Sequence, residues 1–171
     1  KTSIKKSFPQ KKFDHLFEGG SAGCTYVMRI NTANTVLDYY EKILHNTWEF
    51  FSHDWFIYFV SRVSSLKVFI DSESFIKYRI HSSNVHGGMN KLSLSGIYKR
   101  LTLLNNKWYR KHTLGMLNLL TDGSEEHKLL ADFNKSYFHR ILIIFKYNFQ
   151  LIRSPLKFMK FALLNIFSLS R

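Results

Sequence analysis

The stretch FSHDWFIYFVSRVSSLKVFIDSESFIKYRIHSSNVHGG, Phe51 to Gly88, decides how the rest of the chain is read. Ser52, His53 and Asp54 stand immediately before the apolar run Trp55 to Val60, which is either a buried helix or a buried strand. Ser and Asp satisfy orphan N–H groups at helix starts, so the order favours a helix. Lys67 to Ile70 and Phe75 to Tyr78 then have the composition of two short strands around Asp71-Ser72-Glu73. A polar loop with His81, Asn84, His86, Gly87 and Gly88 follows.

Outward from this stretch, the upstream FEGGSAGC, Phe17 to Cys24, clusters small residues before a strand-like Thr25 to Ile30. Glycine lets another chain or a ligand approach the backbone closely, although an ordinary turn explains the cluster equally well. No G-x-x-x-x-G-K-S/T or G-x-G-x-x-G pattern occurs, so no P-loop or Rossmann phosphate site is expected. From Thr35, the spacing of Val36, Leu37, Tyr40, Ile43 and Leu44 predicts a helix capped by Asn34 or Thr35.

Downstream, Leu94, Ile97, Tyr98, Leu101, Leu104 and Trp108 fall at helical intervals with Lys and Arg on the other side. A shorter helix is expected over Leu114 to Leu120, a turn at Asp122-Gly123, and then a long helix opened by Glu125 and Glu126. That helix carries a narrow polar stripe through Lys135, His139, Lys146, Gln150 and Arg153 and a broad apolar face through Phe138, Ile141, Leu142, Ile144, Phe145, Phe149 and Ile152, until Pro155 breaks or kinks it. Lys146, Arg153, Lys157 and Lys160 interrupt the apolar runs, so neither this segment nor Leu156 to Leu169 reads as a membrane span. Two alternatives remain: a helical lobe packed on the rest of the chain, or a helix lying in an anionic lipid interface.

Composition narrows the class. With 171 residues, 45% hydrophobic and 16% aromatic, the chain is globular rather than disordered. Its single cysteine, Cys24, forms no intrachain disulfide, which fits a reducing compartment. The lysine-rich start has no initiator Met and no signal-peptide core, and reads as the beginning of a fragment. The net charge of +13 is unevenly placed: from Phe133 to Arg171 there are seven basic residues and no acid. Such a surface seeks phosphate, in nucleic acid, in anionic lipid or in a phosphorylated substrate.

Taken singly, the polar residues have plain structural explanations. A helix cap accounts for Asp54, a surface position for His53, and a core position for Trp55. His81 and His86 lack the Cys partners or H-E-x-x-H spacing of a zinc site.

Their order, however, is informative. FEGGSAGCTYVM, then HDW before an apolar helix, then KVFID, then FIKYRIHSSNVHG resembles the second half of the catalytic domain of family 2 glycosyltransferases, specifically the rhamnosyltransferase-like bacterial branch. The resemblance covers Phe17 to Gly88 and rests on the acid-Trp pair and on Tyr78, Arg79, His81, Asn84 and Gly87 as Y-R-x-H-x-x-N-x-x-G. It implies an α/β class. Residues 1–90 would be the acceptor-binding half of a GT-A nucleotide-sugar transferase domain, and residues 91–171 a basic, amphipathic, membrane-associating helical extension.

It further implies an inverting transferase of polysaccharide biosynthesis, moving a sugar from a nucleotide-sugar donor to a cell-surface glycan or lipid-linked acceptor. Asp54 would be the general base, and His81 a ligand of Mg²⁺ or Mn²⁺ on the donor pyrophosphate. Gly19, Gly20, Ser21, Ala22 and Gly23, with His53, Trp55, Arg79 and Asn84, would border the sugars. The D-x-D motif of such enzymes is absent from these residues, so the remaining metal ligands are expected upstream. The implied location is the cytoplasmic face of the cell membrane. The competing expectation is a non-catalytic basic module binding nucleic acid or anionic membrane, or an inactive truncated transferase. Against nucleic acid, the Trp and Phe residues follow core spacing rather than forming an exposed stacking platform.

Overall fold

The computed structural model describes residues 7–21, 23–44, 52–73 and 108–167. Among these the regular elements are helices: α1 (Ile30–Leu44), α2 (His53–Val63), α3 (Trp108–Leu117), α4 (Glu125–Lys135), α5 (Tyr137–Tyr147) and α6 (Pro155–Phe167). Single 3₁₀ turns lie at Asp14–Leu16, Gly23–Thr25 and Asn148–Gln150.

Helix α2 forms where the opening stretch predicts it. Asp54 lies in its first turn, where negative charge is favoured by the dipole. Trp55, Phe56, Tyr58, Phe59 and Val60 are buried, so the run is apolar on several sides because it is enclosed on several sides. Each such side chain contributes about 1.5–3 kcal/mol by leaving water. The helix ends in a Schellman motif. Ser65 takes the left-handed conformation (φ 55°), Leu66 N–H donates to the Ser61 carbonyl (2.8 Å), and Ser65 N–H donates to the Arg62 carbonyl (3.1 Å).

Several expected elements differ. Thr25 to Ile30 is not a strand: a 3₁₀ turn is followed by irregular chain, and α1 begins already at Ile30. Alternating burial is missing there, since Val27 is 100% exposed, while the Tyr26 phenol is drawn inward by hydrogen bonds. Thr35 is inside α1 rather than capping it, and its hydroxyl donates to the Asn31 carbonyl (3.0 Å) one turn back. Residues 66–70 form no ladder with any described segment, and the expected partner 75–78 lies outside the described residues.

In the C-terminal part, Leu94, Ile97, Tyr98, Leu101 and Leu104 of the expected basic helix lie outside the described residues, while α3 takes in Trp108 and runs through the buried Gly115 to Leu117. The expected long helix is two helices. Ser136 adopts an extended conformation (φ −158°, ψ 170°), ending α4 and capping α5 by accepting from His139 N–H. The turn at Gly123 (φ 80°) and the acidic first turn of α4, Glu125 and Glu126, match expectation, and Ser124 caps that helix by accepting from His127 N–H (3.1 Å). Pro155 is the first residue of α6, where its missing N–H costs nothing.

One hydrophobic core joins both ends of the chain. Phe17 packs edge-on against Phe133 (5.1 Å between centroids) and beside Phe161 (5.2 Å). Phe13 N–H donates to the Gln150 carbonyl (3.0 Å). Residues expected in the two separate units, 1–90 and 91–171, thus share this core.

Candidate functional site

The glycine segment and the start of α2 meet face to face. A Cβ on Gly19 would come within 3.3 Å of the Trp55 Cα, and one on Gly20 within 2.9 Å of both the Tyr26 hydroxyl and the Tyr58 ring. On Gly23 it would collide with the His53 imidazole. The close approach of the loop to a helix N-terminus therefore leaves least room at Gly20, against the tyrosine rings, and little at Gly19, whereas at Gly23 the exposed His53 ring can turn aside. Tyr26 ties the two together: its hydroxyl accepts from Ser21 N–H (3.0 Å) and donates to the Asp54 carbonyl (2.9 Å). Thr25 Oγ1 donates to Ser21 Oγ (3.1 Å).

Asp54 is half-buried at the rim of this contact, and His53 is exposed beside it. Asp54 Oδ1 accepts from Trp55 N–H (3.0 Å) and from the Ser52 hydroxyl. Among the described residues nothing donates to Oδ2, so this oxygen can accept a proton or a hydrogen bond from another molecule.

Trp55 is 4% exposed, so its ring does not face solvent. Its indole N–H donates to the His15 carbonyl (2.8 Å), and its ring stacks on Trp108 (5.4 Å) and lies against His112 (4.9 Å). Burial pushes His112 down to about 4, so the imidazole under the tryptophan is neutral at physiological pH. Ala22, Arg79, His81 and Asn84 lie outside the described residues.

A second set of residues escaped the sequence reading. The loop is held from behind by Arg153, itself 3% exposed. Arg153 Nη2 donates to the carbonyls of Gly19 (2.6 Å) and Gly20 (3.0 Å), while its Nε and its backbone N–H both reach Glu18 Oε1 (3.1 and 2.6 Å). Lys157 Nζ takes the other Glu18 oxygen (3.0 Å). Beneath lies Asp14, fully buried, bonded by the Tyr58 hydroxyl (2.8 Å) and by Arg62 Nη1 (2.9 Å), with Arg153 Nε at 3.4 Å.

Burial alone would raise the Asp14 carboxyl, but its neighbours His15 and Tyr58 and the Arg62 charge carry it below the usual value. Burial and the Asp14 charge raise the Tyr58 phenol. Only the adjacency of Glu18 to Gly19-Gly20 could have flagged this cluster; nothing in the spacing joins Asp14 to Arg153.

No family model matches the chain, and no solved structure matches it. Among curated proteins the chain is similar to a sugar-transferring enzyme. The relative is the dTDP-rhamnosyl transferase RfbG of Shigella flexneri, 35% identical over 127 residues. The match takes in 72% of this chain but 42% of the relative, so the chain spans less than half the length of the protein it matches.

Proposed function

We propose that this chain is the acceptor-side portion of an inverting, GT-A-type glycosyltransferase of family 2. It would transfer a sugar, by analogy with the relative a rhamnosyl group from a dTDP-linked donor, to a glycan or lipid-linked acceptor. The observation that supports this best is the junction of the Gly19–Gly23 segment with the start of α2. It places a carboxylate, with one oxygen uncommitted among the described residues, beside a close-packed backbone loop.

In the reaction, the acceptor hydroxyl oxygen attacks the anomeric carbon while its proton passes to Asp54 Oδ2. The bond from that carbon to the donor phosphate oxygen breaks, and the nucleoside diphosphate leaves with the electron pair. Inversion follows from attack opposite the leaving group. Ser21 and His53 line the approach. Trp55 acts as a positioning residue: anchored in the core by His15 and Trp108, it fixes the first turn that carries Asp54.

The metal implied for the donor pyrophosphate, Mg²⁺ or Mn²⁺, has no site among the described residues, where no three His, Cys, Asp or Glu side chains gather. No step is assigned to it. His81, Arg79 and Asn84 retain their proposed roles toward metal and sugars on the resemblance alone.

The test is Asp54→Asn in the complete transferase. A positioned general base contributes about 10²- to 10⁴-fold, so transfer should fall by that factor while donor binding by calorimetry is retained. Undiminished transfer would remove Asp54 from the base role.

A further inference from the structure

Helices α5 and α6 run antiparallel. The Tyr137 hydroxyl at the start of α5 donates to the Ile166 carbonyl near the end of α6 (2.6 Å), and Phe149, just past α5, packs on Phe158 near the start of α6 (4.8 Å). Each helix buries one side, through Ile143 and Ile144 in α5 and Phe158 and Phe161 in α6. The other side is also apolar. Phe138, Leu142 and Phe145 recur at i, i+4 and i+7 on α5, and Leu156, Met159 and Leu163 at i, i+3 and i+7 on α6; all six are at least half exposed. Isolated exposed apolar side chains are ordinary, but two neighbouring helices each with a continuous stripe mark a contact surface.

Charge says what the surface contacts. Lys135, Lys146 and Lys160 are exposed, and among the described residues none of them has a carboxylate partner. From Phe133 to Arg171 the chain has no acid. A second copy docked on the same face would bring these lysines against themselves, and a protein seam would strand them without counter-charge. Anionic phosphates above an apolar layer satisfy both features at once. Helices of 11 and 13 residues rise about 16–20 Å, short of the roughly 30 Å hydrocarbon core. Among the described residues no helix is long and apolar enough to cross a membrane.

We propose that the outer face of α5 and α6 lies flat in the interface of an anionic phospholipid bilayer, its Phe, Leu and Met side chains among the acyl chains and its lysines at the phosphates. This surface is distinct from the Asp54 junction and does not depend on the transferase reading. The test is flotation of the 171-residue chain with phosphatidylcholine vesicles, with and without phosphatidylglycerol, at low and high salt.

Wild type should float with the anionic vesicles and less so at high salt. Leu142→Glu/Phe145→Glu and Lys146→Glu/Lys160→Glu should each lower the partition coefficient about tenfold or more, with unchanged far-UV circular dichroism because these side chains point away from the core. The proposal is overturned by any of three results. These are absence of flotation, flotation indifferent to both double variants, or a sedimentation dimer that Leu142→Glu/Phe145→Glu dissociates, which would assign the face to a second copy.

Discussion

Two aspartates near the same loop illustrate opposite uses of a carboxylate. Asp14 is wholly buried, and both its oxygens are engaged, Oδ1 by Arg62 and Oδ2 by Tyr58 with Arg153 close by. Asp54 sits half-buried at a helix start, with one oxygen bonded to Trp55 N–H and Ser52 and the other uncommitted among the described residues. A carboxylate saturated with donors is a structural staple, because it has no capacity left for a proton and a large cost for losing its charge. One that is oriented but unsaturated is suited to chemistry. Position in sequence would have ranked the two alike, since each precedes an aromatic or histidine neighbour.

The largest expected effect is the activity loss of Asp54→Asn, which should cost no more stability than a first-turn charge supplies, about 0.3–1 kcal/mol. If stability fell by the amount expected for Asp14→Asn, Asp54 would belong with Asp14. Next comes Asp14→Asn, which leaves the buried Arg153 and the partly buried Arg62 charges short of a partner. Breaking a buried pair costs about 3–5 kcal/mol, and a urea denaturation series should show it. A variant as stable as wild type would end the description of Asp14 as a staple.

Gly20→Ala probes the seam between the two regions. Its methyl would press on the buried Tyr58 ring and on the Tyr26 hydroxyl that bridges Ser21 to Asp54. Overpacking of this kind costs about 1–3 kcal/mol, and transfer should fall further than stability because the Tyr26 bridge is displaced.

The most gradual effect is a pH dependence. Burial pushes His112 down to about 4, so between pH 6.5 and about 4 the unfolded chain binds a proton there that the folded chain refuses, and His15, also pushed down by burial, acts in the same direction. Stability should be flat above neutrality and should fall as pH drops through that window, by at most about 1.4 kcal/mol per pH unit for His112. His112→Gln should flatten the slope. Asp14, whose folded value is depressed, adds its own loss only at lower pH, as the carboxyl is finally protonated.

Much of the helical framework was legible locally. The acidic first turn of α4, the turn at Gly123 and the opening of α2 with Asp54 in its first turn all follow from preferences acting over three or four residues. The errors have a common origin. Ser136 was read through as part of a continuous stripe because periodicity is nearly preserved across it, although its hydroxyl is better used capping α5. Thr25 to Ile30 has strand composition, but composition cannot supply a neighbouring strand, and Tyr26 is held instead by Ser21 and Asp54.

By itself, then, the order of residues determined which segments coil, which acid opens α2, and that small residues stand where a loop must pass close to something. Only the tertiary structure decided what that something is, and that Arg153, far along the chain, grips the Gly19 and Gly20 carbonyls from within the core. It also decided that Trp55 faces Trp108 rather than solvent and that the second apolar stripe of α5 and α6 is left uncovered among the described residues. The reason is physical: capping and helical period depend on neighbours a turn away, whereas the partner of a buried charge or an aromatic face is set by packing, which brings together residues that no local spacing connects.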